Sequence, residues 1–181
     1  IVADGDYLYR THKGDLEAIF ARELALQPWI ASHLDGAERI GEYRVTSDYS
    51  YRAKHCAAKG LVLTGDAFAF LDPVFSSGVF LALQTGVLAG DAVHEALEAD
   101  DFGGERFEAY GAEARRGLEA MRRLVYAFYD TTFSFGRFLK AHPDLQGALT
   151  DCLIGNVYTD LEPLFDAVAE FAQVPAPLAH G

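Results

Sequence analysis

The stretch GLVLTGDAFAFLDPVFSSGVFLALQTGVLAG, residues 60–90, restricts the fold more than any other part of the chain. It opens with a short, unbroken apolar run, Leu61-Val62-Leu63, set between Gly60 and Gly65. Such a run predicts a strand covered on both faces, as in a parallel sheet. Three turn or cap signals follow: Gly65-Asp66-Ala67, Asp72-Pro73 and Ser76-Ser77-Gly78. A helix is then predicted from about Gly78 to Glu98. Residues 73–90 contain no charge and reach the minimum length of a membrane span. Ser76, Ser77, Gln84 and Thr85 lower their hydropathy, and Asp72 and Asp91 flank them without a basic anchor. A buried helix, and no membrane span, is the expectation.

The same order of elements has a chemical reading. A parallel strand that ends in Gly-Asp sets a carboxylate at the edge where open α/β sheets bind ligands. A helix starting near Gly78 aims backbone N–H groups and its dipole at the same region, which suits negative charge. Ala82, Gly86 and Gly90 recur every four residues and predict a smooth stripe along which a strand could approach closely. Each feature taken singly reads as an ordinary turn, an N-cap or routine packing. The ordered combination points to a ligand site.

The rest of the chain is predicted to be mostly helical. Residues 15–34 show an amphipathic pattern through Leu16, Ile19, Phe20, Leu24 and Leu26, with Pro28 ending that helix or starting a second. Tyr43, Val45, Tyr49 and Tyr51 alternate around Ser47-Asp48 and predict strands between residues 40 and 54. A long helix is predicted over residues 105–138, then shorter ones over 144–153 and 159–173, then a loose tail. Tyr126, Phe128, Tyr129, Phe133, Phe135 and Phe138 make the end of the long helix aromatic. Core between helices is the expected role of these rings, and the lining of a pocket for an aromatic or lipid-like small molecule is the other.

Composition excludes several classes. At 181 residues with half of them hydrophobic, the chain can build a core. A net charge of −12 argues against nucleic acid and against anionic membrane surfaces. The two cysteines, Cys56 and Cys152, have no metal-ligand spacing and read as reduced thiols of a cytoplasmic protein. The six histidines stand singly, so no metal site is expected. The residue at position 1 is Ile rather than Met, as expected of a piece of a longer protein.

The order strand, Gly-Asp-Ala, Asp-Pro, Ser-Gly, small-faced helix resembles the second flavin motif of FAD-dependent monooxygenases with a p-hydroxybenzoate-hydroxylase-like fold. Within that superfamily FLDPVFSSGVFLAL looks most like the flavin-dependent halogenases. SDYSYRAKHCAAKGLVLTGDA before it and RLVYAFYDTTFSFGRFLKAHP after it extend the likeness over roughly residues 40–145. The resemblance implies an α+β, mostly α chain, the C-terminal part of an FAD-binding α/β fold. Residues 1–60 would end a substrate-domain region, 61–100 form the second half of the FAD domain, and 101–181 a helical region. Asp66 would bind the ribityl or pyrophosphate part of FAD, with Gly65 and Ala67 allowing close approach. Asp72 and Pro73 would shape the loop beside the isoalloxazine ring. Ser76, Ser77, Gly78 and Val79 would offer amides to the flavin, and Ser77 and Gly78 would be the chloride site.

Several family features have no counterpart in this sequence. No Gly-x-Gly-x-x-Gly follows an N-terminal strand, and the Trp-x-Trp-x-Ile-Pro signature of tryptophan halogenases is absent, since the only tryptophan is Trp29. The relay lysine of halogenases lies upstream of this region in the family, so the catalytic residues are not identified here. The resemblance implies a halogenase acting through a flavin C4a-hydroperoxide, served by a flavin reductase. A flavin hydroxylase or a geranylgeranyl-reductase-like enzyme shares the motif. A helical binding module that keeps a relic of it is the reading from another class.

Overall fold

The computed structural model describes residues 1–47 and 50–178. The chain divides into two compact units, Ile1–Ser47 and Asp48–Gly181.

The first unit holds α1 (Gly5–Tyr9), α2 (Leu16–Ala25) and α3 (Pro28–His33). Asp4 and Asp15 are the N-caps, their carboxylates accepting from the amides of Tyr7 and Ala18 at 3.1 and 2.9 Å. Pro28 starts a separate helix, where its missing N–H costs nothing. Ile19 is buried, and Phe20 meets the Tyr43 ring at 5.6 Å. Tyr43 and Val45 lie in a segment without strand pairing, contrary to the alternation. Among the described residues no neighbouring strand offers that segment a hydrogen-bond ladder. Tyr49 lies outside the described residues.

In the second unit the strands are two-residue pieces. β1 (Tyr51–Arg52) pairs with β4 (Ala69–Phe70), and β2 (Ala57–Ala58) pairs with β3 (Leu61–Val62), both antiparallel. The doubly covered parallel strand expected at 61–63 is therefore a short hairpin arm, and Leu61 is half exposed. A strand is buried on both faces only where layers exist to cover it; among the described residues the 57–58 arm is its one strand partner, and Val62 and Leu63 pack on one side against the core around Tyr110.

Four helices complete the unit after α4 (Gly78–Ala99): α5 (Glu108–Tyr129), α6 (Phe135–Ala141), α7 (Gln146–Leu153) and α8 (Glu162–Val168). The mostly helical expectation holds. The helix predicted over 105–138 is interrupted after Tyr129. There the Asp130 carboxylate accepts from the Thr132 amide at 2.8 Å and hydroxyl at 2.6 Å, and from the Gln173 amide at 2.9 Å. An Asp that bonds the backbone two residues on replaces the next helical turn.

Helix α5 serves two cores. Its first half joins Cys56, Phe68 and Ala89 through Tyr110, Ala114 and Leu118. Its second half brings Met121 and Leu124 against Phe138, Cys152, Leu164, Phe165 and Val168. Each fully buried Leu or Phe contributes about 1.5–3 kcal/mol. Phe138, Phe133 and Phe135 thus serve the core, whereas Tyr126, Phe128 and Tyr129 stay about half exposed. Among the described residues no helix is long and apolar enough to cross a membrane.

Candidate functional site

Residues Gly65–Ala67 form one tight turn, closed by Ala67 N–H to Thr64 O at 3.1 Å and Phe68 N–H to Gly65 O at 2.9 Å. Gly65 has φ +50°, a conformation that disfavours a side chain. A Cβ there would also lie 2.8 Å from the Cβ of Ala82, so the turn rests directly on α4. The Gly65 amide donates to Thr85 Oγ1 at 3.0 Å, and that hydroxyl donates to Leu81 O at 2.7 Å. From the other side Tyr51 donates its hydroxyl to Asp66 O at 2.5 Å. With the backbone clamped this way, the side chains of Asp66 and Ala67 face outward and are exposed.

The second turn, Pro73–Phe75, is capped by Asp72, whose Oδ1 accepts from the Val74 amide at 3.0 Å. Ser76 follows in the left-handed region at φ 54° and redirects the chain into α4. Ser77 is the N-cap by position, but its side chain makes no cap bond, and it is buried. First-turn amides of a helix have no partner within the helix. Here they meet no capping side chain either, and 22 residues of aligned peptide dipoles stand behind them.

The two turns meet. Gly65, Asp66, Ser77 and Gly78 line one cavity of about 20 Å³, together with Phe70 and Thr85. That volume takes about one water-sized occupant. Ala67, Asp72, Pro73, Ser76 and Val79, the other candidates, are not on its wall. Val79 is 75% exposed.

The stripe expected to meet a strand behaves differently. Ala82 makes the contact with Gly65, but a Cβ at Gly86 or Gly90 would meet nothing within 4 Å. The buried line on α4 is Thr85, Ala89 and Ala96. Gly86 and Gly90 instead share the outward face with Val79, Leu83, Val87 and Leu97. Small residues permit close approach without saying which neighbour approaches.

Sequence reasoning missed Thr85, Tyr51 and Tyr129. Thr85 looked like a polar interruption of an apolar helix, and its acceptor role depends on an amide twenty residues away. Tyr129 looked like one ring among six, yet it donates its hydroxyl to Asp72 Oδ1 at 3.0 Å.

Comparison with known proteins places the chain in a family. Residues 18–136 match the family model described as tryptophan halogenase. The 1H-pyrrole-2-carbonyl-[peptidyl-carrier protein] brominase of Pseudoalteromonas luteoviolacea is 32% identical over 90% of this chain and 39% of that enzyme. The corresponding chlorinase of Pseudomonas fluorescens is 29% identical over 81% of this chain and 34% of its own length. Among solved structures, flavin-dependent brominase Bmp2 superposes with a TM-score of 0.71 at 27% identity, covering 91% of this chain and 41% of that one. The chain thus spans well under half the length of these relatives. With about two thirds of its residues matched by one family model, the chain belongs to the tryptophan halogenase family.

Proposed function

We propose that this chain forms the part of a flavin-dependent halogenase that holds the ring side of FAD and the halide. The observation that carries the reading is the convergence of Gly65-Asp66 and Ser77-Gly78 on one cavity beside uncapped α4 amides.

The residues present fit a flavin at its pyrimidine and ribityl side. Asp66 offers an exposed carboxylate to ribityl hydroxyls, and the amides of Ser77, Gly78 and Val79 offer donors to pyrimidine carbonyls. The cavity is too small for a flavin ring, so these residues would serve from its rim, with Asp72 and Pro73 shaping the loop beside it. When bound, the flavin supplies the oxidising chemistry. The chain's own part is to bind, to orient and to keep water out. Phe70 lines the inner wall, while Ser77 and Gly78 present the amides that would hold a chloride or bromide ion.

The names of the two enzyme relatives support a small aromatic substrate, pyrrole-like, free or attached to a carrier protein. A flavin reductase would supply reduced FAD, and oxygen would be used as in a monooxygenase, in the cytoplasm. Residues 1–60 would close the substrate region, 61–100 complete the FAD domain and 101–181 brace it. The apolar outward face of α4 supports a further layer of protein against it.

The test is to read the source DNA on the 5′ side of the Ile1 codon and assay the product of the whole reading frame. Bromination of free or carrier-bound pyrrole, given a flavin reductase, FAD and bromide, is the expected result. A start codon beside Ile1, or a full-length product that turns over flavin without halogenating, would overturn the reading.

A further inference from the structure

We infer that Tyr129 is a positioning residue for residues 72–78, acting on the Ser77-Gly78 amides through Asp72. The inference rests on the halide reading given above.

The geometry is a two-point grip by consecutive residues at the end of α5. Tyr129 donates to Asp72 Oδ1 at 3.0 Å, and the same oxygen accepts from the Val74 amide at 3.0 Å. Phe128 meets the ring of Phe75 edge-on, with centroids 5.4 Å apart. Phe128 in turn is backed by Phe135 at 6.4 Å, beyond the Asp130 turn. The turn from Pro73 to Phe75 is short, closed by Ser76 N–H to Pro73 O at 2.8 Å, and leads into a left-handed Ser76, a conformation that persists only where surrounding contacts hold it. An anchor outside the turn decides where the α4 amides point. Tyr129 contributes a hydroxyl to that anchor and is itself half exposed, so its bond to Asp72 does more for the turn than for the core.

The experiment uses the product of the whole reading frame, labelled with nitrogen-15, and sodium bromide as the probe. Tyr129→Phe removes only the hydroxyl. Amide exchange at Val74 and Ser76 should rise about fivefold, as expected for loss of one ordinary net hydrogen bond at a half-exposed site. Amides of α7 and α8 should not change. The bromide concentration that half-shifts the Ser77 and Gly78 resonances should rise by a similar factor. In an Asp72→Ala background Tyr129→Phe should add nothing, because the path through Asp72 is already cut. Unchanged exchange at Val74 and Ser76 would overturn the inference. So would a rise spread equally through α7 and α8, which marks a merely structural role. If bromide shifts nothing in the unaltered chain, the halide reading fails by itself, and the exchange data still decide whether Tyr129 holds the turn.

Discussion

Thr85 holds Gly65 in place: its buried hydroxyl accepts from the Gly65 amide at 3.0 Å while it donates to Leu81 O at 2.7 Å. One side chain on α4 thereby fixes the turn that carries Asp66. Thr85→Val keeps the shape and removes the acceptor, leaving a buried amide unsatisfied at a cost of about 1–3 kcal/mol. Thr85→Ser should retain most of the stability. Urea denaturation of the three proteins checks this, with the midpoint of Thr85→Val lowest.

Gly65→Ala meets two obstacles, a backbone at φ +50° and an Ala82 Cβ 2.8 Å away. Strain in the left-handed region and the clash together should cost about 2–4 kcal/mol. Pairing the change with Ala82→Gly removes the 2.8 Å contact but leaves the backbone strain and the Ala82 Cα at 3.2 Å. The double-mutant cycle should recover part of the loss and leave the backbone share, about 1–2 kcal/mol, in place.

The break after α5 should depend on pH. The Thr132 hydroxyl first, with the Gln173 and Thr132 amides, holds the Asp130 carboxyl below its ordinary value of 3.8. A depressed native value means that the stabilisation is present in full above the unfolded value and is lost as pH falls through the native one. The thermal midpoint of the unaltered chain should fall across that acidic range, and that of Asp130→Asn should fall less. Equal slopes for both would show that the Asp130 turn contributes nothing to the pH dependence.

Cys152 should be inert in the folded protein. Burial raises its thiol to about 12, and the nearby Arg123 lowers it only in part. The thiolate is the reactive form, so iodoacetamide at pH 8 should label Cys152 only as fast as the chain unfolds. Peptide mass spectrometry with and without denaturant reads the difference. Fast labelling of Cys152 in the native chain would show that its core opens locally.

Local signals account for much of what was legible from the residues alone. Asp72-Pro73 and Ser77-Gly78 announce a turn and a helix start within a few residues of one another, and α4 begins at Gly78 as expected. Asp15 caps α2 and Pro28 opens α3 for the same reason, since caps and proline act over one turn. The flavin-motif candidates could be named because they lie in one continuous stretch.

Tertiary contacts settled the rest. Whether Leu61-Val62 is a doubly covered strand or the arm of a hairpin depends on which layers stand beside it, and periodicity is silent on neighbours. The end of α5 at Asp130 needs the Gln173 amide from forty-three residues on. Which stripe of α4 is buried was decided by Gly65 and α5, not by where the small residues fall. Thr85 and Tyr129 became part of the site only when folding brought them to the Gly65 amide and to Asp72. A hydrogen bond has a range of about 3 Å and no memory of sequence distance, so partners such as these exist only in the folded chain.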